Sequence, residues 1–341
     1  MIPPDLYGRR RRDPFWVAVS ALFGARQRVR YLRPPAVREI RPVDRTMDLV
    51  VLEVRPRADG VVSLRLGAPD GRVLPSWQPG CHLDVLLPAG TRQYSLCGDP
   101  ADRRAYRIAV RRLHGLSAEM HALCEGDVIR VRGPRNAFPF LRGDRYLFIA
   151  GGIGITPILP MVTAAERLRA DWRLIYCGRG RDSMPFLDEL AGERVRIRTD
   201  DEHGVPDCGD LLGDPEPGTA VYCCGPAPMI DGVRAAFGSR ADATLHYERF
   251  APAPVADGRP FRIELRRSGR VLEVPADRSA LDVIKDELPA VAYSCRQGFC
   301  GTCRTRVLEG EVERRSPSDG DDGAMLICVS RAADGRLALD L

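Results

Sequence analysis

A group of four cysteines near the C-terminus constrains this chain more than any other feature of its sequence. Three of them follow the spacing C-x4-C-x2-C, and a fourth lies further along. The set is Cys295, Cys300, Cys303 and Cys328. Thiolates at this spacing hold the two irons of a 2Fe-2S cluster. Gly298 and Gly301 lie between the ligands, where a loop wound around a cluster needs residues that tolerate positive φ angles. The spacing therefore predicts an iron–sulfur site.

Two other uses of cysteine fit this pattern less well. Structural zinc sites usually combine two short pairs of ligands, whereas Cys328 has no near partner in the sequence. Disulfides suit a secreted chain, but eleven cysteines is an odd number and no convincing export signal accompanies them. The cluster is favoured over both.

The length of 341 residues predicts two or three domains, since a domain takes about 150 residues. An apolar content of 44% and a charged content of 28% are typical of a folded, soluble protein. The net charge of +5 is uneven: residues 1–45 hold eleven arginines and four acids, a balance of +7, which leaves 5 − 7 = −2 for the rest. This charge gives no reason to expect nucleic-acid binding by the body of the protein.

The N-terminal arm contains an apolar run from Phe15 to Ala25, which is shorter than the roughly 20 residues of a membrane-spanning helix. Arginines before this run resemble an export signal, but Asp13 and Pro14 interrupt that pattern. Phe15, Trp16, Val19 and Phe23 recur at helical spacing. We expect an amphipathic helix packed on the body or on a partner, or a loosely ordered arm.

Residues 46–142 alternate in hydrophobicity over short segments separated by proline and glycine, which predicts a small antiparallel barrel. The expected strands are 47–54, 60–66, 82–87, 106–110 and 127–131. Within this region, Arg92 and Tyr94 should project from one face of a strand, and Ser95 from the other. Such a cation and ring suit a phosphate and a flat ring system, although the same residues on a surface strand usually carry no function.

A short segment from Gly115 to Leu123 follows. Ser117 is predicted to cap a helix, whose free amides form a site for phosphate. The carboxylate of Glu119, in the first turn of the helix, would compete with a phosphate for these amides. Taken alone, this pattern more often marks a capped helix than an anion site.

Residues 143–250 alternate between strands and helices, which predicts a parallel sheet wound with helices. The strand 146–150 leads into Gly151, Gly152 and Gly154, and then into a helix that Thr156 caps and that runs to about Ala170. Glycines in this position let a pyrophosphate approach the backbone. Pro157 replaces the third glycine of the usual fingerprint, so the motif is weak by itself.

Further strands are expected at 173–177, 194–199 and 220–224, with helices near 186–190 and 228–237. The first of these strands ends without an acid for a ribose hydroxyl, and Arg179 or Arg181 could accept a 2′-phosphate, so NADH and NADPH both stay open. The strand 220–224 places Cys224 and Gly225 at the carboxyl edge of the sheet, where ligands bind. Most unpaired cysteines, however, are buried and only fill space in the core.

Residues 251–258 have the composition of a semi-rigid linker. The C-terminal region then predicts strands at 261–265, 271–274, 304–308, 326–329 and 337–341, with a helix at 279–288. A helix across a mixed sheet, followed by the cysteine loop, suits an α+β ferredoxin unit.

The four signals occur in a fixed order: Arg-x-Tyr-Ser, Gly-Gly-x-Gly-x-Thr-Pro, Cys-Gly-Pro and C-x4-C-x2-C…C. Over roughly residues 46 to 341 this order resembles the phthalate dioxygenase reductase and vanillate demethylase reductase family. The resemblance implies a multidomain fold. It comprises a basic N-terminal extension (1–45), an antiparallel β-barrel that binds FMN (46–142), an α/β parallel-sheet domain that binds NAD(P)H (143–250), a linker (251–259) and an α+β, β-grasp 2Fe-2S ferredoxin domain (260–341).

The resemblance also implies roles for individual residues. Flavin contacts fall on Arg92 for the phosphate, on Tyr94, Ser95 and Leu96 for the ring, on Gly115 and Ser117 for a second phosphate turn, and on Glu248 and Phe250, which close the pocket. Nucleotide contacts fall on Gly151, Gly152, Thr156, Arg179, Cys224 and Gly225. Ser95 and Cys224 are the catalytic candidates, and Cys295, Cys300, Cys303 and Cys328 match the cluster ligands.

The implied function is a cytoplasmic NAD(P)H-dependent reductase, with NADH slightly favoured, that supplies electrons to an oxygenase or demethylase component of the Rieske type. A hydride carries two electrons and the cluster accepts one, so a flavin must store the second. FAD remains the alternative to FMN. A reductase for a cytochrome P450 or a membrane desaturase shares every motif, and a non-catalytic redox or metal-binding protein is the alternative from a different class.

Overall fold

The computed structural model describes residues 13–32, 44–88, 90–113, 116–250, 255, 257–293, 295–298, 301–316, 319–320 and 322–341, without the side chains of 24–32 and Leu116. Met1–Asp44 and Arg45–Leu341 form two compact units. The first contains helix α1 (Pro14–Leu32). The helix predicted for the arm is therefore present, with Phe15, Trp16 and Phe23 exposed, while its docking role stays a prediction. Among the described helices, none has the length and apolar character needed to span a bilayer.

The second unit begins with a six-stranded antiparallel sheet in the order β4-β3-β6-β1-β2-β5. Its end strands approach each other, so the sheet curls into a barrel around an apolar core. The Arg-x-Tyr-Ser segment forms β4. The elements are β1 (Thr46–Ala58), β2 (Val61–Gly67), β3 (Cys81–Leu87), β4 (Gly90–Ser95), β5 (Ala105–Arg111), α2 (Leu116–His121) and β6 (Val128–Asn136).

Next comes a five-stranded parallel sheet in the order β11-β10-β7-β8-β9. The chain leaves β7 on one side to form β8 and β9 and later returns on the other, so a crevice opens at the carboxyl ends of the central strands. The elements are β7 (Arg145–Gly151), α3 (Ile155–Arg167), β8 (Asp171–Gly178), β9 (Val195–Thr199), α4 (Asp200–His203), α5 (Cys208–Leu212), β10 (Ala220–Cys224), α6 (Ala227–Phe237) and β11 (Thr244–Glu248).

Some predictions for this sheet were wrong. The helix expected near 186–190 is a single 3-10 turn, Leu187–Glu189, because Phe186 before it has a left-handed φ of 64°. Helix α3 ends at Arg167 rather than near Ala170. Thr156 does not cap α3: the N-cap residue is Gly154, and the Thr156 hydroxyl donates to the carbonyl of Ile153 at 3.0 Å.

The C-terminal sheet is mixed, in the order β13-β12-β18-β14-β16, with β12 and β18 parallel. Helix α7 packs across it, and Ser279 caps that helix by accepting from the amide of Asp282. The elements are β12 (Phe261–Leu265), β13 (Arg270–Val274), α7 (Ala280–Glu287), β14 (Arg304–Glu309), β15 (Val312–Glu313), β16 (Ala324–Leu326), β17 (Arg331–Ala332) and β18 (Arg336–Leu339).

The strand expected at 326–329 is shifted toward the N-terminus. β16 ends at Leu326, where the amide donates to the buried carboxylate of Asp319 at 3.0 Å instead of continuing the ladder. The chain then turns, with the amide of Val329 donating to the carbonyl of Leu326. This turn carries Cys328. Each of the three main sheets draws its strands from one of the predicted domains, whose boundaries stay predictions.

Candidate active site

The cysteine loop brings together three of the four predicted cluster ligands. Cys295, Cys303 and Cys328 are all buried, and a hydrogen bond between the Cys303 and Cys328 side chains, together with burial, raises the pKa of Cys328. Cys295 is close enough to contribute to the same shift. Cys300 lies outside the described residues. Cys303 and Cys295 thus both lie near Cys328, which suits a metal centre that would bind them as thiolates.

The backbone of this loop has the shape that a cluster needs. Gly298 and Gly301 have φ angles of 84° and 72°, a region that favours glycine. A Cβ on Gly298 would lie 2.8 Å from Val329. The amide of Gln297 donates to the sulfur of Cys295 at 3.4 Å, as amides do around cluster thiolates. The residues that are described fit a 2Fe-2S cluster.

Ser95 and Glu248 meet at the end of β4, although 153 residues separate them in the sequence. The hydroxyl of Ser95 donates to Oε2 of Glu248 at 3.4 Å, and both residues are buried. Burial raises the pKa of Glu248 to about 8, while the Ser95 hydrogen bond opposes this shift. At neutral pH the carboxyl is therefore mostly protonated.

A cavity of about 20 Å³ lies beside this pair, and the three sheet regions meet around it. Gln93 and Ser95 line it from the barrel, Glu248 and Phe250 from the nucleotide sheet, and Cys295 and Gln297 from the cysteine loop. Oε1 of Gln297 is buried without a hydrogen-bond partner among the described residues. The cavity has room for about one water, so these groups could contact only the edge of a flavin ring that lies mainly outside it.

Three more of the predicted flavin residues, Arg92, Tyr94 and Leu96, lie on or next to β4. On one face of β4, Gln93 contacts the buried Asp84 and Ser95 is buried. On the other face, Arg92 is exposed and is close enough to half-buried Tyr94 to affect its pKa. This is the alternation that the sequence predicted. The Leu96 side chain lies in the barrel core, and its amide donates to the carbonyl of Cys81. The side chain of Leu96 thus packs in the core, and its predicted contact with the flavin ring stays a prediction.

The cap predicted at Ser117 was wrong. Helix α2 begins at Leu116, so Ser117 lies inside its first turn. The hydroxyl of Ser117 accepts from the amide of Leu113 and donates to the carbonyl of Leu113, both at 2.8 Å. These bonds tie down the chain before the helix rather than capping it. Gly115 lies outside the described residues, so the second phosphate turn stays a prediction.

Two turns pack together at the carboxyl edge of the parallel sheet. A Cβ on Gly151 would come within 2.7 Å of Pro226, and a Cβ on Gly225 would lie 3.0 Å from the backbone of Gly151. Gly152 has a φ of 53°. Small residues are therefore needed for the approach of these two turns as well as for a bound pyrophosphate.

Cys224 ends β10 in this same region, in register with Glu248 on β11. Burial raises the pKa of Cys224 well above its ordinary value, and the nearby Glu248 raises it further. The thiol is therefore neutral at physiological pH, which suits a packing contact with a ligand rather than nucleophilic attack.

Sequence reasoning missed several groups at this edge. The guanidinium of Arg111 on β5 lies 3.4 Å from a Cβ position on Gly152, and its Nη2 donates to the carbonyl of Ser183 at 2.7 Å. Its Nε is buried without a hydrogen-bond partner among the described residues. A buried donor beside the glycine turn fits a pyrophosphate. No local pattern could have found it, because Arg111 belongs to the barrel.

Acidic side chains from α4 also reach the tip of β8. Oδ2 of Asp201 lies 2.9 Å from a Cβ position on Gly180, and Glu202 forms an ion pair with Arg181 at 3.0 Å. Arg179 is exposed, and its carbonyl accepts from the amide of Asp201. The acid that β8 lacks at its own end is thus supplied after β9. The run of three acids at 200–202 was the available signal.

These features define a class of protein: a reductase that takes electrons from a pyridine nucleotide at a parallel sheet, through a flavin at a barrel, to an iron–sulfur loop. Comparison with known proteins agrees. Residues 263–333 match the 2Fe-2S iron–sulfur cluster binding domain. Over 305 residues the chain is 39% identical to the phthalate 4,5-dioxygenase oxygenase reductase subunit of Pseudomonas putida, a match that covers 83% of this chain and 93% of that protein.

Solved structures support the same assignment. Phthalate dioxygenase reductase is 36% identical with a TM-score of 0.66, and the match covers 87% of this chain and 98% of that one. An intact type IV self-sufficient cytochrome P450 monooxygenase is 35% identical with a TM-score of 0.72, covering 91% of this chain and 44% of that one.

The chain belongs to the phthalate dioxygenase reductase family. It is an NAD(P)H-dependent flavin and iron–sulfur oxidoreductase, the reductase component of a multicomponent oxygenase. Its cofactors are FMN and a 2Fe-2S cluster, and its electron donor is NADH or NADPH. The predicted family, fold class and role as the reductase component of an oxygenase are confirmed, together with FMN and the 2Fe-2S cluster, while the Rieske-type acceptor stays a proposal.

Proposed function

We propose that this reductase delivers electrons singly to a separate Rieske-type oxygenase component, with its side chains divided into a flavin group, a nucleotide group and a cluster group. The observation that carries the proposal is the cavity where Ser95, Glu248 and Cys295 meet. One residue from each predicted domain faces it, so the three redox partners would converge there. When bound, FMN supplies the conversion of a two-electron hydride into single electrons.

In the flavin group, Arg92 offers a guanidinium to the phosphate and Tyr94 offers a ring face to the flavin. Ser95 places its hydroxyl at the reacting edge, with the protonated Glu248 one hydrogen bond behind it. This arrangement holds a proton on the Glu248 carboxyl, next to the hydroxyl that would contact the ring. Phe250, which is half exposed, shields the cavity from water on the side of the nucleotide sheet.

In the nucleotide group, Gly151 and Gly152 let the pyrophosphate approach the backbone, and Thr156 supports the turn through its bond to Ile153. Arg111 offers its orphaned Nε to the phosphates. Cys224, as a neutral thiol, packs against the nicotinamide beside Gly225. These roles use the carboxyl edge of the sheet, where such folds bind their ligands.

The preference for NADH is proposed to come from α4. The Asp201 carboxylate beside Gly180 can accept from a ribose 2′-hydroxyl and repels a 2′-phosphate. Glu202 pairs with Arg181, the cation that would otherwise attract that phosphate. Arg179 remains exposed and is placed to contact the adenosine.

An oxygenase component is the first candidate acceptor. The match covers 93% of a phthalate 4,5-dioxygenase oxygenase reductase subunit and 98% of a solved phthalate dioxygenase reductase. The P450 match, which spans 44% of a larger chain, keeps a haem acceptor as the second candidate. The seven cysteines outside the cluster motif are thiols, which suits the cytoplasm as the proposed compartment. They are Cys81, Cys97, Cys124, Cys177, Cys208, Cys223 and Cys224.

The test is electron delivery from the NADH-reduced holoprotein to two purified acceptors under anaerobic conditions. One acceptor is the Rieske-type oxygenase component of a phthalate or vanillate system, and the other is an isolated P450 haem domain. Reduction of the Rieske centre at a rate well above that of the haem is expected. Faster reduction of the haem, or no reduction of either acceptor by a protein whose own centres are reduced, would overturn the proposal.

A further inference from the structure

Cys295 is bracketed by two hydrogen bonds that connect the cysteine loop to the rest of the protein. Two residues before it, the carbonyl of Tyr293 accepts from Nη1 of Arg135 at 2.9 Å. Two residues after it, Nε2 of Gln297 donates to the carbonyl of Arg249 at 2.7 Å. The first bond comes from strand β6 of the barrel and the second reaches the end of the nucleotide sheet. The ligand is thus fixed on both sides by different domains.

Arg135 is itself held by a buried carboxylate. Its Nη2 donates to Oδ2 of Asp84, whose side chain is fully buried. The other oxygen of Asp84 accepts from Nε2 of Gln93 at 3.0 Å, and Gln93 also contacts Nε2 of His82 at 3.0 Å. Burial lowers the pKa of His82 to about 4, so its ring is neutral. Asp84 and Arg135 therefore have no competing cation among these residues.

The ring of Tyr293 completes the contact. It is buried and lies close to two cations: Cζ of Arg135 is 4.8 Å from its centroid and Nζ of Lys285 on α7 is 4.1 Å from it. Such contacts contribute about 0.5–2 kcal/mol each, more when they are desolvated. Arg135 therefore contacts both the carbonyl and the ring of Tyr293.

We infer that Arg135 and Asp84 are positioning residues for electron transfer: they hold the cysteine loop against the flavin pocket and so set the rate from flavin to cluster. This inference rests on the proposed function. Gln93, which orients Asp84, lies beside Ser95 and lines the same cavity as Cys295. The network thus connects the flavin side of the cavity to the cluster side. Electron transfer weakens steeply with distance. Loss of the contact between Arg135 and Tyr293 therefore slows electron transfer from the flavin to the cluster and leaves hydride transfer intact.

The test compares Arg135→Gln with Arg130→Gln in the holoprotein. Arg130 lies on the same strand and also pairs with an aspartate, Asp48, but on an exposed surface. After rapid anaerobic mixing with NADH, Arg135→Gln is expected to slow cluster reduction at least about tenfold, the size of effect seen for a small misplacement of reacting groups. Flavin reduction should stay within about twofold of wild type, and Arg130→Gln should change neither phase.

Two further measurements separate positioning from loss of structure. Hydrogen exchange at residues 295–298 should rise in Arg135→Gln and not in Arg130→Gln. Arg135→Lys, which keeps the charge and one donor, should restore part of the rate of cluster reduction. If Arg135→Gln does not fold, Asp84→Asn carries the same expectation.

Unchanged cluster reduction in Arg135→Gln, or equal slowing of both phases, would overturn the inference. A wild-type protein that lacks separate flavin and cluster phases would instead overturn the proposed function on which the inference rests.

Discussion

The two redox sites of this protein are built in opposite ways. The cysteine loop draws three of its four proposed ligands from nine consecutive residues, Cys295 to Cys303, and its backbone supplies the shape through Gly298 and Gly301. The cavity at Ser95 and Glu248 has no local unit, because a barrel strand, a parallel strand and the cysteine loop each contribute to it. One site is encoded by spacing and the other by the tertiary fold. Substitutions should therefore have separable effects at the two sites.

The largest effect is expected at the cluster. Cys328→Ser removes the distant ligand, and since loss of supporting residues alone weakens metal sites by about 10–100-fold, loss of a ligand should lower NADH-dependent cytochrome c reduction at least about 100-fold. Ferricyanide reduction, which can draw on the flavin, should persist. Cys124→Ser, at an exposed thiol, is the control. Parallel loss of both activities in Cys328→Ser would mean that the sites are not separable.

The reverse experiment is Ser95→Ala. Loss of the hydroxyl should slow NADH-dependent flavin bleaching about 100-fold, in the range found for groups that assist proton and hydride movements. The cluster band should keep its full intensity after chemical reduction. Ser63→Ala, which alters another buried barrel serine, should leave both unchanged. A weakened cluster band in Ser95→Ala would contradict the prediction that substitutions at the two sites have separable effects.

The cavity at Ser95 and Glu248 can also be tested through the pH dependence of the free energy of unfolding, to which Glu248 contributes. Its pKa is about 8 when folded and near 4.5 otherwise, so its contribution to stability is full below pH 4.5 and is lost as pH rises through 8. Each pH unit between these values costs about 1.4 kcal/mol. From pH 6 to 7.5, wild type should lose about 2 kcal/mol more than Glu248→Gln, a difference of several degrees in Tm. Glu309→Gln, at an exposed residue, should follow wild type, and identical pH profiles for all three proteins would refute the buried, protonated carboxyl.

The smallest effect is expected at the nucleotide edge. Asp201→Asn removes the charged acceptor next to Gly180. The ratio of kcat/KM for NADH to that for NADPH should fall about tenfold, as expected for loss of one charged hydrogen bond of about 1.5 kcal/mol. Calorimetry should show weaker binding of ADP-ribose and stronger binding of 2′,5′-ADP. Asp214→Asn, at an exposed carboxylate that pairs with Arg240, is the control, and an unchanged ratio in Asp201→Asn would contradict the assignment.

The same contrast explains what could be predicted from the sequence. The glycine turn and strands such as Ala220–Cys224 and Phe261–Leu265 follow from local spacing and periodicity, which the chain keeps when it folds. The assignment of the four cysteines as cluster ligands also follows from spacing and stays a prediction. The predicted caps at Ser117 and Thr156 were wrong because each hydroxyl found a nearer backbone partner, Leu113 or Ile153.

Other groups could not be found from local patterns at all. The hydrogen bond from Ser95 to Glu248 spans 153 residues, and the one from Arg135 to Tyr293 spans 158. Arg111 approaches the glycine turn from another sheet. Only the resemblance to a known family connected Ser95 with Glu248, and it gave no indication of the Arg135 contact.

The most direct test of the account is the order of electron flow within this chain. The holoprotein would be mixed anaerobically with one equivalent of NADH in a stopped-flow spectrometer, and the flavin and cluster bands recorded together. The account predicts that the flavin band bleaches first and that the cluster band follows in a separate, slower phase. A cluster band that bleaches before the flavin band, or that does not respond to NADH at all, would contradict it.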